Sequence, residues 1–63
     1  MMFAVHEGRR IDFDMSPEGQ LMVHIQDVGT IDALALAESP ECVPRVRELI
    51  YEAKERYDNG EWE

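Results

Sequence analysis

Apolar and polar residues alternate along the first part of the chain. The apolar positions begin with Phe3 and Val5 and continue in two further runs. These runs are Ile11, Phe13 and Met15, followed by Leu21, Val23 and Ile25. A period of two is typical of strands that bury one face. We therefore predict three antiparallel strands between residues 2 and 27.

The segment Ser16–Gln20 predicts the turn between the second and third strands. Its proline suits the second position of a type I turn, and its glycine suits the left-handed position that follows. A three-residue loop here sets Met15 opposite Leu21 and keeps the apolar residues of both strands on one face.

The loop around Gly8 decides the register of the first strand. A three-residue loop, Glu7–Arg9, sets Val5 opposite Ile11, whereas a two-residue loop sets apolar residues opposite charged ones. We therefore predict the three-residue loop.

Helix signals follow from residue 29 onward. Gly29 is expected to end the sheet, and Thr30 to cap a short helix, Ile31–Glu38, with Asp32 in its first turn. Three alanines in this segment favour helix, and a fourth strand is the alternative.

A longer helix is predicted from Pro44 to about Asp58, because proline is tolerated in the first turn of a helix. Its apolar stripe, at three- and four-residue spacing, consists of Val43, Val46, Leu49, Ile50, Ala53 and Tyr57. Asn59 and Gly60 end the helix, and Trp62 is placed to fold back on its last turn. The predicted architecture is one α+β domain, residues 1–63, in which a three-stranded antiparallel meander precedes the two helices.

The composition narrows the class of partner. The chain has 63 residues, with 14 acidic and 6 basic side chains and a net charge of −8. This charge repels polyphosphate and anionic membranes, so we expect neither direct nucleic-acid binding nor membrane binding. Cys42 is the single cysteine, which is typical of a reducing compartment and predicts a cytoplasmic protein. Residues 1–7 lack the features of a secretion signal.

Seven acids and no lysine or arginine lie between Ile11 and Pro44. They are Asp12, Asp14, Glu18, Asp27, Asp32, Glu38 and Glu41. We expect these acids, with the tail Glu61–Glu63, to form the contact surface of a non-enzymatic regulator or inhibitor that binds a basic protein. In its most concrete form, acids held on a sheet imitate nucleic-acid phosphates, as in a phage-type inhibitor of a CRISPR or restriction complex. The simplest role of these seven acids is to keep the chain soluble.

Two alternatives remain open at this level. Leu34 and Leu36 belong to an apolar run that predicts self-association, as in a small assembly or antitoxin-like module. His6, Asp12 and His24 lie on one sheet face in the predicted register, which allows a small metal- or ligand-binding protein.

Catalytic motifs are missing from the sequence. Cys42 has no local motif that would activate a thiolate, and the pair Asp12 and Asp14 lies on a small sheet that offers little cleft. No glycine-rich phosphate loop is present. We therefore expect no enzymatic activity and no cofactor, and we assign no metal-binding residues.

Overall fold

Four antiparallel strands and two helices make up the structure, a computed structural model that describes residues 2–62. The elements are β1 (Met2–His6), β2 (Arg9–Met15), β3 (Leu21–Ile25), β4 (Gly29–Asp32), α1 (Ala33–Glu38) and α2 (Pro44–Asp58). The strands form one sheet in the order β1-β2-β3-β4. The predicted α+β class and both helices are confirmed, but the sheet has four strands rather than three.

The fourth strand arises where the sheet was expected to end. Asp27 adopts a φ of 68°, which aspartate tolerates better than most residues, and it closes a three-residue loop between Ile25 and Gly29. The chain then pairs along β3, with Ile31 opposite Val23. Both predictions for this segment were therefore partly right, because it contains a short strand and then a helix.

The start of α1 differs from the prediction for the same reason. Thr30 lies within β4, so it does not cap the helix. Asp32 is the N-cap residue, and its carboxylate accepts a hydrogen bond from the Ala35 N–H at 3.2 Å. Carboxylates are among the preferred caps because they accept from otherwise unpaired N–H groups of the first turn.

The β2–β3 hairpin has the predicted register, with Met15 opposite Leu21 and Phe13 opposite Val23. The Ser16 N–H donates to the Gln20 carbonyl at 2.8 Å, and the Gly19 N–H donates to the Ser16 carbonyl at 2.9 Å. The turn residues of the segment Ser16–Gln20 were therefore sufficient to predict the register of β2 and β3.

The register predicted for β1 is wrong. The loop consists of two residues, Glu7 and Gly8, with φ angles of 53° and 81°. Positive φ at both central positions is the feature of a type I′ turn, whose twist matches that of the flanking strands. Consequently Val5 lies opposite Arg10 instead of Ile11, and β1 presents the opposite face to the core.

The core lies between one face of the sheet and the two helices. Phe13, Val23 and Ile50 are fully buried at its centre, and Ala53 packs beside them. Trp62 folds back as predicted, because its Nε1–H donates to the Ala53 carbonyl at 3.1 Å. Its ring also meets Tyr57 edge-on, with centroids 5.2 Å apart. The two ends of the predicted apolar stripe of α2 are not buried, because Val43 is 47% exposed and Tyr57 is 42% exposed.

Arg47 joins the two helices. Its Nε–H donates to the Ala37 carbonyl at 2.8 Å, and its terminal nitrogen donates to the carbonyls of Ser39 and Cys42 at 3.2 and 3.4 Å. Backbone carbonyls at and beyond the end of α1 lack helical partners, so the guanidinium satisfies groups that burial would otherwise leave unpaired.

Candidate protein-binding surface

The sheet has one covered face and one face that no element among residues 2–62 covers. We call the uncovered side the open face. The strand registers place these side chains on it: Phe3, Val5, Arg10, Asp12, Asp14, Met22, His24, Thr30 and Asp32. Successive side chains alternate between the two faces, so the open face follows directly from the buried positions Ile11, Phe13 and Val23.

Two apolar side chains of β1 lie exposed on the open face. Phe3 is 56% exposed and Val5 is 64% exposed. The Arg10 guanidinium lies 4.2 Å from the centre of the Phe3 ring, which is a cation–π contact. This contact explains how a charged residue is accommodated beside apolar β1 in the register that a two-residue loop produces.

Arg10 also changes the charge of the open face. Its Nε–H donates to both oxygens of the Asp12 carboxylate, at 2.9 and 3.1 Å. Asp14 has a different environment, because one of its oxygens accepts from the Met15 N–H at 2.8 Å and its side chain is exposed. The pair Asp12 and Asp14 on β2 therefore contains one carboxylate paired with an arginine and one without such a partner.

A shallow depression of about 380 Å³ occupies the middle of the open face. Open-face residues that line it include Asp14, Met22, His24 and Thr30. The His24 Nδ1 and the Thr30 hydroxyl are 3.0 Å apart and share a hydrogen bond. Ser16 and Pro17 of the β2–β3 turn form one wall. The depression thus combines an apolar thioether with hydrogen-bonding groups and a carboxylate.

The structure does not bring the seven predicted acids together. Asp12, Asp14 and Asp32 share the open face, although Asp32 is also engaged as the cap of α1. The other four lie in the turns, at the end of α1 and between the helices: Glu18, Asp27, Glu38 and Glu41. In the predicted tail Glu61 is exposed, and Glu63 lies outside the described residues.

The ligand set proposed for a metal is separated by the corrected register. His6 lies opposite Arg9, on the side of the sheet that carries the helices, whereas Asp12 and His24 lie on the open face. Among residues 2–62 no group of three or more histidine, cysteine, aspartate or glutamate side chains has a geometry that holds a metal ion. The prediction that His6, Asp12 and His24 share a face is therefore wrong.

Leu34 and Leu36 are both half-buried and pack against the hydrophobic core, with the smaller Ala33 and Ala37 fully buried beside them. Their proposed role at an oligomer interface stays a prediction. Cys42 is buried, 7% exposed, and its thiol lies 3.5 Å from the Val43 carbonyl oxygen.

The residues that sequence reasoning missed are Phe3, Val5 and Met22 on the open face. For Phe3 and Val5, the signal in the sequence was the two-residue loop at Glu7 and Gly8. This loop turns these two side chains of β1 away from the core and onto the open face. Met22 follows from the alternation of β3, because both of its neighbours are buried.

No family model matches this chain, and no curated protein sequence or solved structure matches it either. In the part of the chain that the structure describes, neither helix is long and apolar enough to span a bilayer.

Proposed function

We propose that this chain is a non-enzymatic, protein-binding regulator and that the open face is its contact surface. The observation that carries the proposal is an uncovered sheet face on which two exposed apolar side chains, Phe3 and Val5, stand beside charged groups. Interfaces typically combine apolar anchors with polar side chains at their rim. Isolated apolar residues are common on protein surfaces, but Phe3 and Val5 are neighbours on one face of β1. Half-buried Met22 lies on the same face of the sheet, beyond the charged side chains of β2.

The charge of the open face supports a partner with a basic surface. Three carboxylates, Asp12, Asp14 and Asp32, stand against one arginine, Arg10. The whole chain adds a long-range field from its net charge of −8, which steers basic partners toward it. The partner expected from this surface offers lysine or arginine together with apolar side chains.

Imitation of nucleic-acid phosphates is a narrower form of the same proposal. It rests on Asp12 and Asp14, about 6.7 Å apart along one strand. Arg10 neutralises Asp12, so the open face does not offer a partner two regularly spaced free carboxylates on β2. A mixed apolar and acidic contact accounts for more of the open face.

Capture by the immobilised chain from a lysate of its source cells tests the proposal. Asp14→Lys should lose the specifically captured protein, because it reverses the charge of the exposed β2 carboxylate that has no arginine partner. Glu55→Lys is the matched control, since it makes the same change in charge on the exposed side of α2. Equal loss in both variants would indicate non-specific charge attraction, and unchanged capture by Asp14→Lys would place the contact elsewhere.

A further inference from the structure

The free edge of β1 is the feature that the proposed function leaves unused. Within the described residues β1 has a hydrogen-bonded neighbour on one side only, β2. Natural sheets guard such edges with charged side chains, proline or bulges, because an unguarded edge pairs with another strand. Met2–His6 contains no acidic residue, lysine, arginine or proline, and its five residues pair with β2 without a bulge.

The backbone groups that face this edge can be identified. The Arg10 carbonyl accepts from the Gln26 N–H at 3.0 Å, so Arg10 directs its backbone toward β3. Successive residues of an antiparallel strand direct their backbone groups to opposite sides, so Arg9 and Ile11 face β1. Their partners His6 and Ala4 bond to β2, which leaves the N–H and C=O groups of Phe3 and Val5 pointing outward.

The opposite edge of the sheet is different. β4 has four residues, its last residue caps α1, and the chain turns into that helix at once. An added strand finds fewer free backbone groups there. β1 is therefore the edge on which a further strand fits.

The strand that pairs with the β1 edge is indicated by the charge around β1 and by the symmetry of its sequence about Ala4. We propose that β1 pairs antiparallel with β1 of a second copy of this chain, with Ala4 on the two-fold axis. In this register Phe3 lies opposite Val5 of the second copy, so the four exposed apolar side chains of the two copies meet in one cluster on a continuous eight-stranded sheet. No charged side chain of the strand is brought against a like charge.

The flank of the molecule around β1 carries nearly balanced charge, although the chain as a whole is acidic. On β2, Arg10 pairs with Asp12. On α2, Arg47 faces α1, so at 100° per residue the side turned away from α1 and toward β1 carries two ion pairs, with the acid Glu55 beside them. These pairs are Arg45 with Glu48 at 3.3 Å and Arg56 with Glu52 at 3.4 Å. A second copy meets little local repulsion on this flank.

This inference goes beyond the proposed function and is tested on the purified chain alone. Sedimentation equilibrium at micromolar concentration should give twice the monomer mass of 7.3 kDa. Because both copies carry a net charge of −8, salt should strengthen their association by screening long-range repulsion. Salt should weaken binding to a basic partner, so the two interactions respond in opposite directions.

Two variants address the edge directly. Val5→Lys should weaken the dimer at least about tenfold. A lysine on an edge strand disfavours pairing with another strand, and the apolar contact with Phe3 of the second copy is lost. The matched control is Thr30→Lys, an exposed open-face position on β4, which should leave the dimer unchanged. Circular dichroism checks that both variants are folded.

A cross-link tests the register. The two Ala4 residues form a non-hydrogen-bonded pair in the proposed register, with Cα atoms about 4.5 Å apart, which is within the range that a disulfide spans. Ala4→Cys in a Cys42→Ser background should oxidise to a covalent dimer, whereas Thr30→Cys in that background should not. A wild-type monomer at every concentration overturns the proposal and leaves the edge to a strand of another protein. A dimer that resists Val5→Lys and does not cross-link through residue 4 also overturns it.

Discussion

At the scale of single residues, Glu7 is the most informative position in the chain. It adopts a left-handed φ of 53° although it has a Cβ atom, and the register of β1 depends on it. The left-handed conformation costs a residue other than glycine roughly 1 to 2 kcal/mol, and asparagine tolerates it better because its side chain bonds locally. Glu7 was therefore a weak signal for the two-residue turn that the structure contains.

Glu7→Asn should raise the free energy of unfolding by up to about 1 kcal/mol, because Asn-Gly is a preferred pair in type I′ turns. Urea denaturation measures the change. Glu18→Asn is the control, since Glu18 also lies in a hairpin turn but does not have a positive φ. A destabilised Glu7→Asn variant would contradict the assigned turn.

Ile50 is fully buried between α2 and the sheet. Ile50→Ala should lower the free energy of unfolding by about 2 to 5 kcal/mol, as truncation of buried aliphatic side chains commonly does. A domain of this size has a total stability of only roughly 3 to 9 kcal/mol, so thermal melting should show much of the population unfolding early. Glu55→Ala on the exposed side of the same helix should change stability by less than about 0.5 kcal/mol. Equal melting of the two variants would mean that the assigned core is wrong.

At the scale of elements, local signals placed the β2–β3 hairpin and α2, and they failed at both sheet edges. Pro17 and Gly19 specify one turn, and the stripe of α2 is long enough to define a face. For β1, loops of two and three residues differ by one position, and either one aligns apolar side chains with some part of β2. For β4, Gly29 begins a strand although glycine usually ends one, because the chain has already turned back at Asp27.

The candidate surface was predictable only in part for a related reason. Acids that are neighbours in sequence share a face only when their elements and spacing place them there. Asp12 and Asp14 meet this condition because they are two residues apart on one strand. Glu38 and Glu41 do not, because one ends α1 and the other lies in the connection to α2.

The connection between the helices should depend on Arg47, a residue that no sequence pattern singled out. Arg47→Met keeps the apolar stem but removes three hydrogen bonds to backbone carbonyls, so it should cost about 1.5 to 3 kcal/mol of stability. Arg45→Met is the control, because Arg45 is 60% exposed and its ion pair with Glu48 contributes little. Arg47→Lys should not restore the loss, since an ammonium lacks the planar fork. Identical stability of the two methionine variants would contradict this account.

At the scale of the whole molecule, the two helices cover one face of the sheet, and no element among residues 2–62 covers the other. The hydrophobic core is built on the covered face, where Ile11, Phe13 and Val23 are at most 2% exposed. The open face therefore has little part in the core, and its side chains can change without unfolding the chain. This separation is what allows binding variants to be made in a protein of only 63 residues.

Carboxyl footprinting of the chain, free and bound to its captured partner, tests most directly whether the open face is the contact surface. Carbodiimide labels exposed carboxylates, and mass spectrometry locates the labels. We expect Asp14, which is exposed on the open face, to lose labelling in the complex, while the exposed Glu48 and Glu55 on α2 keep theirs. Protection of the α2 carboxylates, with Asp14 labelled as strongly as in the free chain, would contradict the account.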